Sequence, residues 1–134
     1  MSYKIELLFT KLGKALVALE QMTCKPMQED RSNIDATIQR FEFTIELFWK
    51  LLKAILENLG VEVQYPKDVL KESYRGHLID QEHLWLEMLK DRNLTSHTYE
   101  EKLADTIYMH IKAYTPVLRS TYDQLHVKFA SIPS

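Results

Sequence analysis

From Ile34 the chain carries Ile38, Phe41, Ile45, Phe48, Leu52, Ile55 and Leu59 at steps of three and four residues. That apolar period fits one face of an α-helix and no strand. Ser32 or Asn33 can cap its start, and Gly60 stands where a residue just past a helix end commonly does. At a rise of about 1.5 Å per residue the helix is on the order of 38 Å long. A strut of that length has one stripe to bury, so it predicts a helical bundle built around it. Phe43 and Trp49 lie off the stripe, which implies either central burial, the reading the pattern favours, or contact with another subunit.

The other segments supply the partners. Ile5, Leu8, Phe9, Leu12, Leu16 and Leu19 mark a first helix with a single buried stripe, which Gly13 weakens slightly without breaking the period. Met22 to Arg31, with Pro26 and a Gln-Glu-Asp-Arg cluster, reads as a connecting loop. Val61 to Tyr65 is a short extended stretch too isolated for a sheet, and Pro66 opens a brief helix that ends at Gly76. Asp80 is the expected cap of the next helix, with Leu84, Trp85, Met88 and Leu89 turned inward. The last helix shows Leu103, Ile107, Ile111 and Tyr114. Pro116 then either kinks it or starts a separate helix capped by Thr115, and a kinked continuation through Leu118, Tyr122, Leu125 and Phe129 is the preferred reading. The expected fold is all-α: an antiparallel up-and-down four-helix bundle with one short additional helix, in a single domain over residues 1–134.

Composition agrees and removes several functions. The 3 Gly and 4 Pro in 134 residues argue against an all-β chain of tight turns. The single cysteine, Cys24, allows neither an intrachain disulfide nor a cysteine-based metal cluster and suits a reducing cytoplasm. A net charge of −2 is not that of a protein that holds nucleic acid by bulk attraction, so any RNA contact has to be local or helped by a partner. No apolar run approaches a membrane span, and acids within the first residues are unlike a signal peptide. His77, His83, His110 and His126 include no pair at the i, i+4 spacing that grips a metal on a helix, and read as solvated surface groups. No cofactor is expected. A glycine-rich phosphate loop and a Gly-Ser plus Asp-x-Asp nucleotidyltransferase signature are both lacking, so any nucleotidyl transfer belongs to another chain.

One junction departs from plain bundle building. Arg92 carries a permanent planar cation suited to a phosphate or a developing oxyanion, and His97 is the side-chain type that titrates near neutrality. In one unbroken helix five steps of about 100° would set them roughly 140° apart, so the helix has to end or bend between them. Thr98 and Glu101 have the spacing of a capping box that starts a new helix at about Tyr99. Arg92 then sits in a last helical turn, where the helix dipole favours a cation. Arg and His at such a junction also serve merely to cap carbonyls or to pair with a carboxylate such as Asp91, and spacing alone does not separate the two roles.

The run Arg92-Asn93-Leu94-Thr95-Ser96-His97-Thr98-Tyr99 resembles the Arg-x4-His-x-Tyr motif of the HEPN superfamily (higher eukaryotes and prokaryotes nucleotide-binding), with Asn93 as the polar residue that commonly follows the Arg. The stretches Asp35 to Thr44, Leu47 to Lys50, Pro66 to Leu70 and Trp85 to Leu89 resemble the subgroup described as nucleotidyltransferase substrate-binding proteins, so the likeness covers about residues 30 to 115. It implies the same helical fold and a homodimer in which two copies of the motif face a shared cleft. It implies a metal-independent ribonuclease of a toxin-antitoxin module acting on single-stranded RNA, with Arg92 and His97 catalytic and Asn93 positioning the phosphate or the His ring. It also implies a minimal nucleotidyltransferase (MNT) partner, with Tyr99 as acceptor for adenylylation. The alternative role for Tyr99 is a half-buried packing residue. The alternative function is a noncatalytic subunit that uses Arg92 and His97 to hold a nucleotide for the same partner.

Overall fold

The computed structural model describes residues 3–25 and 31–130, and every regular element among them is helical. Five α-helices follow in order: α1 Tyr3–Thr23, α2 Ser32–Asn58, α3 Pro66–Arg75, α4 Glu82–Leu94 and α5 Glu101–Leu125. A 3-10 turn, Thr95–His97, joins α4 to α5, and a π-helical turn, His126–Ala130, ends the described chain. The expected all-α bundle with one short extra helix is the observed fold.

The 27-residue α2 is the strut, in contact with α1, α3, α4 and α5. Ile38, Phe41, Ile45, Phe48, Leu52 and Ile55 are buried along its predicted stripe and meet Leu12, Leu16 and Leu19 of α1 and Ile107, Ile111 and Leu118 of α5 in one core. Trp85 of α4 is fully buried edge-on against Phe48, ring centroids 4.9 Å apart. Truncating a side chain of that size costs about 3–5 kcal/mol, so this pair anchors α4 against the strut. Polar ties fix the register of α1 on α2, with Arg40 donating to the Ala18 carbonyl at 2.8 Å. At α5, Arg119 forks onto both oxygens of Glu20 on α1 at 2.6 and 2.9 Å.

Helix ends differ from the sequence expectation more than helix interiors do. α1 continues through Met22, which is buried, to Thr23; residues 26–30 of the expected loop lie outside the described residues. The N-cap of α2 is Arg31 (φ 63°), ahead of Ser32 and Asn33, and that of α4 is Gln81 (φ 56°) rather than Asp80. Both are left-handed positions outside the usual choice of capping residue, and neither side chain makes a cap bond. Arg31 reaches instead to Asp105 at 2.6 Å and Glu101 at 3.0 Å, tying the start of α2 to the start of α5. Gly60 does end α2 with positive φ (89°), and Val61 N–H closes back on the Leu56 carbonyl. α3 ends after Arg75, but the left-handed residue is His77 (φ 62°), one past Gly76. α5 passes through Pro116 as one helix, as the continuation reading expects.

Phe43 corrects the burial expectation: it is 59% exposed on α2. Trp49 is partly buried against the core.

Candidate active site

The α4–α5 junction is where the sequence placed the chemistry. α4 ends at Leu94 and the next three residues tighten into the 3-10 turn, so Arg92 and His97 do not share one continuous α-helix. Two hydroxyls hold the turn: Thr95 Oγ1 donates to the Arg92 carbonyl at 2.7 Å, and Thr98 Oγ1 to the Thr95 carbonyl at 2.9 Å. The second bond replaces the expected capping box. The Thr98 hydroxyl is used inside the turn, and α5 begins at Glu101 with Glu100 as a cap residue lacking a side-chain bond.

Arg92 is in the last turn of α4, its side chain 38% exposed, and its Nη2 donates to Glu46 Oε2 of α2 at 3.2 Å. Lys50 Nζ lies 3.8 Å from the other oxygen of Glu46, so two cations flank one carboxylate. The Nε–H of Arg92 is buried and has no hydrogen-bond partner among the described groups. Asn93 and His97 are exposed. The His97 ring meets the Tyr99 ring at an edge-on angle, centroids 6.1 Å apart. Tyr99 is 79% exposed, which is not the geometry of a half-buried packing residue.

Asp91 does not pair with Arg92. The two successive side chains point to different helices, Arg92 to α2 and Asp91 to α5, where Tyr114 donates to Asp91 Oδ2 at 2.5 Å and His110 Nδ1 stands 3.0 Å from the same oxygen. Burial first, and then the bond to the carboxylate, push the Tyr114 hydroxyl well above its usual titration range, so it remains a donor. His110 therefore is not simply solvated. His126 is exposed, as expected, with its ring 5.4 Å from Phe9 and 5.7 Å from Tyr122, and His83 lies beside Glu87. Sequence reasoning missed Glu46 and the Asp91 cluster. The only signal for Glu46 was its place one turn from Phe43 on α2. For Asp91 it was the position directly before Arg92.

A groove of about 680 Å³ lies elsewhere, between the end of α1 and the second half of α5, lined by Glu20, Cys24, Lys112, Pro116 and Arg119 among others. It contains none of the junction residues. No described helix is long and apolar enough to cross a membrane.

Residues 7–127 match the family model described as nucleotidyltransferase substrate binding protein like. The chain belongs to this family. Its resemblance to the HEPN subgroup of that description, first carried by residues 30 to 115, thus extends over nearly the whole bundle. Among relatives, it is 36% identical over 83 residues to a protein of Haemophilus influenzae named probable ribonuclease HepT. That match takes in 58% of this chain and 57% of the relative, so the chain spans little more than half of the curated relative's length. A crystal structure of a Thermus thermophilus protein superposes with a TM-score of 0.78 at 36% identity, covering 85% of this chain and 98% of the other. A Haemophilus influenzae structure is described as the fold of a substrate binding domain of a nucleotidyltransferase. It gives a TM-score of 0.67 at 27% identity, over 91% and 96% of the two chains.

Proposed function

We propose that this family member is a metal-independent endoribonuclease acting on single-stranded RNA, the toxin of a toxin-antitoxin pair, with Arg92 and His97 as its catalytic residues. The observation that carries the reading is the junction itself: a half-exposed Arg92 with a buried, unpartnered Nε–H, followed across a tight turn by an exposed His97. A guanidinium donor left unsatisfied is costly in a folded chain, and moving the fork from Glu46 onto a phosphate would satisfy it. The name of the Haemophilus relative supports the same reading.

RNA brings its own nucleophile. His97 as general base takes the 2′-hydroxyl proton, the 2′-oxygen bonds to phosphorus, and the bond to the 5′-oxygen breaks. The products are a 2′,3′-cyclic phosphate and a 5′-hydroxyl, the leaving oxygen taking a proton from solvent or from the second His97 of a homodimer. Arg92 stabilises charge on the non-bridging oxygens, and Asn93 orients the phosphate or the imidazole. No metal is needed to generate the attacking group. The small net negative charge leaves affinity to these local contacts, in a cleft that two copies of the motif would share.

Control by a nucleotidyltransferase partner fits the family description and the exposure of Tyr99. A nucleotidyl group on that phenol, whose ring already touches His97, would bring a bulky anion to the site and occupy Arg92.

A second reading is favoured by the description of the Haemophilus structure: a noncatalytic subunit that presents a nucleotide to the partner through the same two residues. One experiment separates them. The purified protein is incubated with single-stranded RNA in excess chelator beside Arg92→Ala and His97→Ala, and nucleotide binding is measured in parallel. Cleavage lost in both variants, with unchanged helical circular dichroism, is expected. Nucleotide binding without cleavage by any of the three would favour the second reading, and equal cleavage by all three would reveal a contaminant and remove the support for the first.

A further inference from the structure

Asp91 is the only buried carboxylate or basic side chain among the described residues, 6% exposed. A charge in that position is expensive unless it is paired and hydrogen-bonded, and an apolar residue would pack α4 on α5 without that cost. The pairing is supplied from one side only. Tyr114 and His110, one turn apart on α5, both meet Oδ2, and a carboxylate can only accept, so His110 carries its proton on Nδ1. The Tyr114 ring in turn stacks on Phe41 of α2, centroids 5.9 Å apart and planes at 26°. The next residue, Arg92, reaches α2 directly at Glu46. The last turn of α4 is thus held between α5 and α2 by two consecutive side chains, and the threonine hydroxyls pass that position along the turn from the Arg92 carbonyl.

We infer that Asp91 is the positioning residue of the site: clamped by Tyr114 and His110, its carboxylate fixes the last turn of α4 and thereby the placement of the Arg92 guanidinium for a phosphate. The inference rests on the reading that Arg92 binds that phosphate, but the placement of Arg92 is measurable without it. Asp91 itself touches no substrate in this arrangement. Its effect on reaction runs through Arg92, and a misplacement on the order of 1 Å at such a group costs about a hundredfold in rate.

The test uses two variants, Asp91→Asn, which keeps the shape and removes the charge, and Tyr114→Phe, which removes the strongest donor and serves if the first does not fold. The first readout is the Arg92 Nε–Hε NMR resonance of the RNA-free protein, assigned by its loss in Arg92→Lys. Both variants should shift or broaden it while the methyl resonances of Leu12 and Leu16 stay in place. An unmoved Arg92 signal in both overturns the inference, whether or not the protein cuts RNA. The second readout is cleavage. Asp91→Asn should lower kcat at least about tenfold with KM within about twofold, and should cause little further loss in an Arg92→Lys background. Full additivity of the two substitutions overturns the inference too. A wild-type protein that cuts no RNA, with an Arg92 signal that responds to Asp91→Asn, would sink the nuclease reading and leave the positioning role standing.

Discussion

Gly13 lies in the middle of α1, where alanine would ordinarily stabilise a helix by about 0.5–1 kcal/mol. Here a Cβ would stand 2.7 Å from the Tyr122 hydroxyl oxygen and 3.4 Å from Cζ of the same ring. The hydroxyl must give way, and it donates to the Phe9 carbonyl at 3.2 Å, already a long bond that a shift of about 0.5 Å would break. Losing that bond costs about 0.5–1.5 kcal/mol against that gain, so in the wild-type background Gly13→Ala should fall between about 0.5 kcal/mol stabilising and about 1 kcal/mol destabilising. With Tyr122→Phe the obstructing oxygen is gone and the nearest ring atom is at ordinary contact distance, so the same substitution should recover the helical gain of about 0.5–1 kcal/mol. Urea unfolding of the four proteins of this cycle measures the coupling, about 0.5–1.5 kcal/mol, provided the m-values agree. Equal effects of Gly13→Ala in both backgrounds would show that the glycine is not there to admit Tyr122.

Other substitutions probe the site and its support. Glu46→Gln removes the carboxylate that competes for Arg92, and for a half-exposed pair worth about 0.2–1 kcal/mol the affinity for a non-cleavable single-stranded oligonucleotide should rise by roughly 1.5- to 5-fold in fluorescence anisotropy; weaker binding would mean that Glu46 pre-orients the cation. Tyr114 has its titration raised in the folded protein, so above pH 10, where the unfolded chain releases that proton and the folded one keeps it, stability should fall. The wild type should lose about 1 kcal/mol more than Tyr114→Phe in urea titrations between pH 10 and 11, and parallel curves would place the phenol in contact with water. If the proposed nucleotidyltransferase partner modifies Tyr99, Tyr99→Phe should abolish nucleotidyl transfer to the protein in intact-mass measurements; an unchanged mass shift would move the acceptor to another residue.

The apolar periods of α1, α2 and α5 were legible because burial repeats along a helix, and each repeat reinforces the last. Helix ends have no such redundancy. Thr98 and Glu101 carry the pattern of a capping box, yet the Thr98 hydroxyl takes the nearer carbonyl of Thr95 once the chain has tightened into a 3-10 turn. Arg31 and Gln81 take left-handed N-caps that their residue types do not announce, and Arg31 is held by Asp105, 74 residues away. The same limit applies at the site. Arg92, Asn93, His97 and Tyr99 are close in sequence and could be read together, whereas Glu46 and the Asp91–His110–Tyr114 cluster bring α2, α4 and α5 together and have no spacing to read. Phe43 shows the converse: an aromatic off the main stripe of a central helix looks like core until the neighbouring helices are in place.

The ends left on a cut RNA decide whether His97 acts on a 2′-hydroxyl. Wild type and His97→Ala are incubated in excess chelator with an RNA oligonucleotide and with the DNA of the same sequence, and the ends are identified by mass spectrometry. Wild type should cut only the RNA, leaving 2′,3′-cyclic phosphate and 5′-hydroxyl ends, and His97→Ala should cut neither. Cleavage of the DNA, or 5′-phosphate ends formed equally by both proteins, would contradict the proposed chemistry.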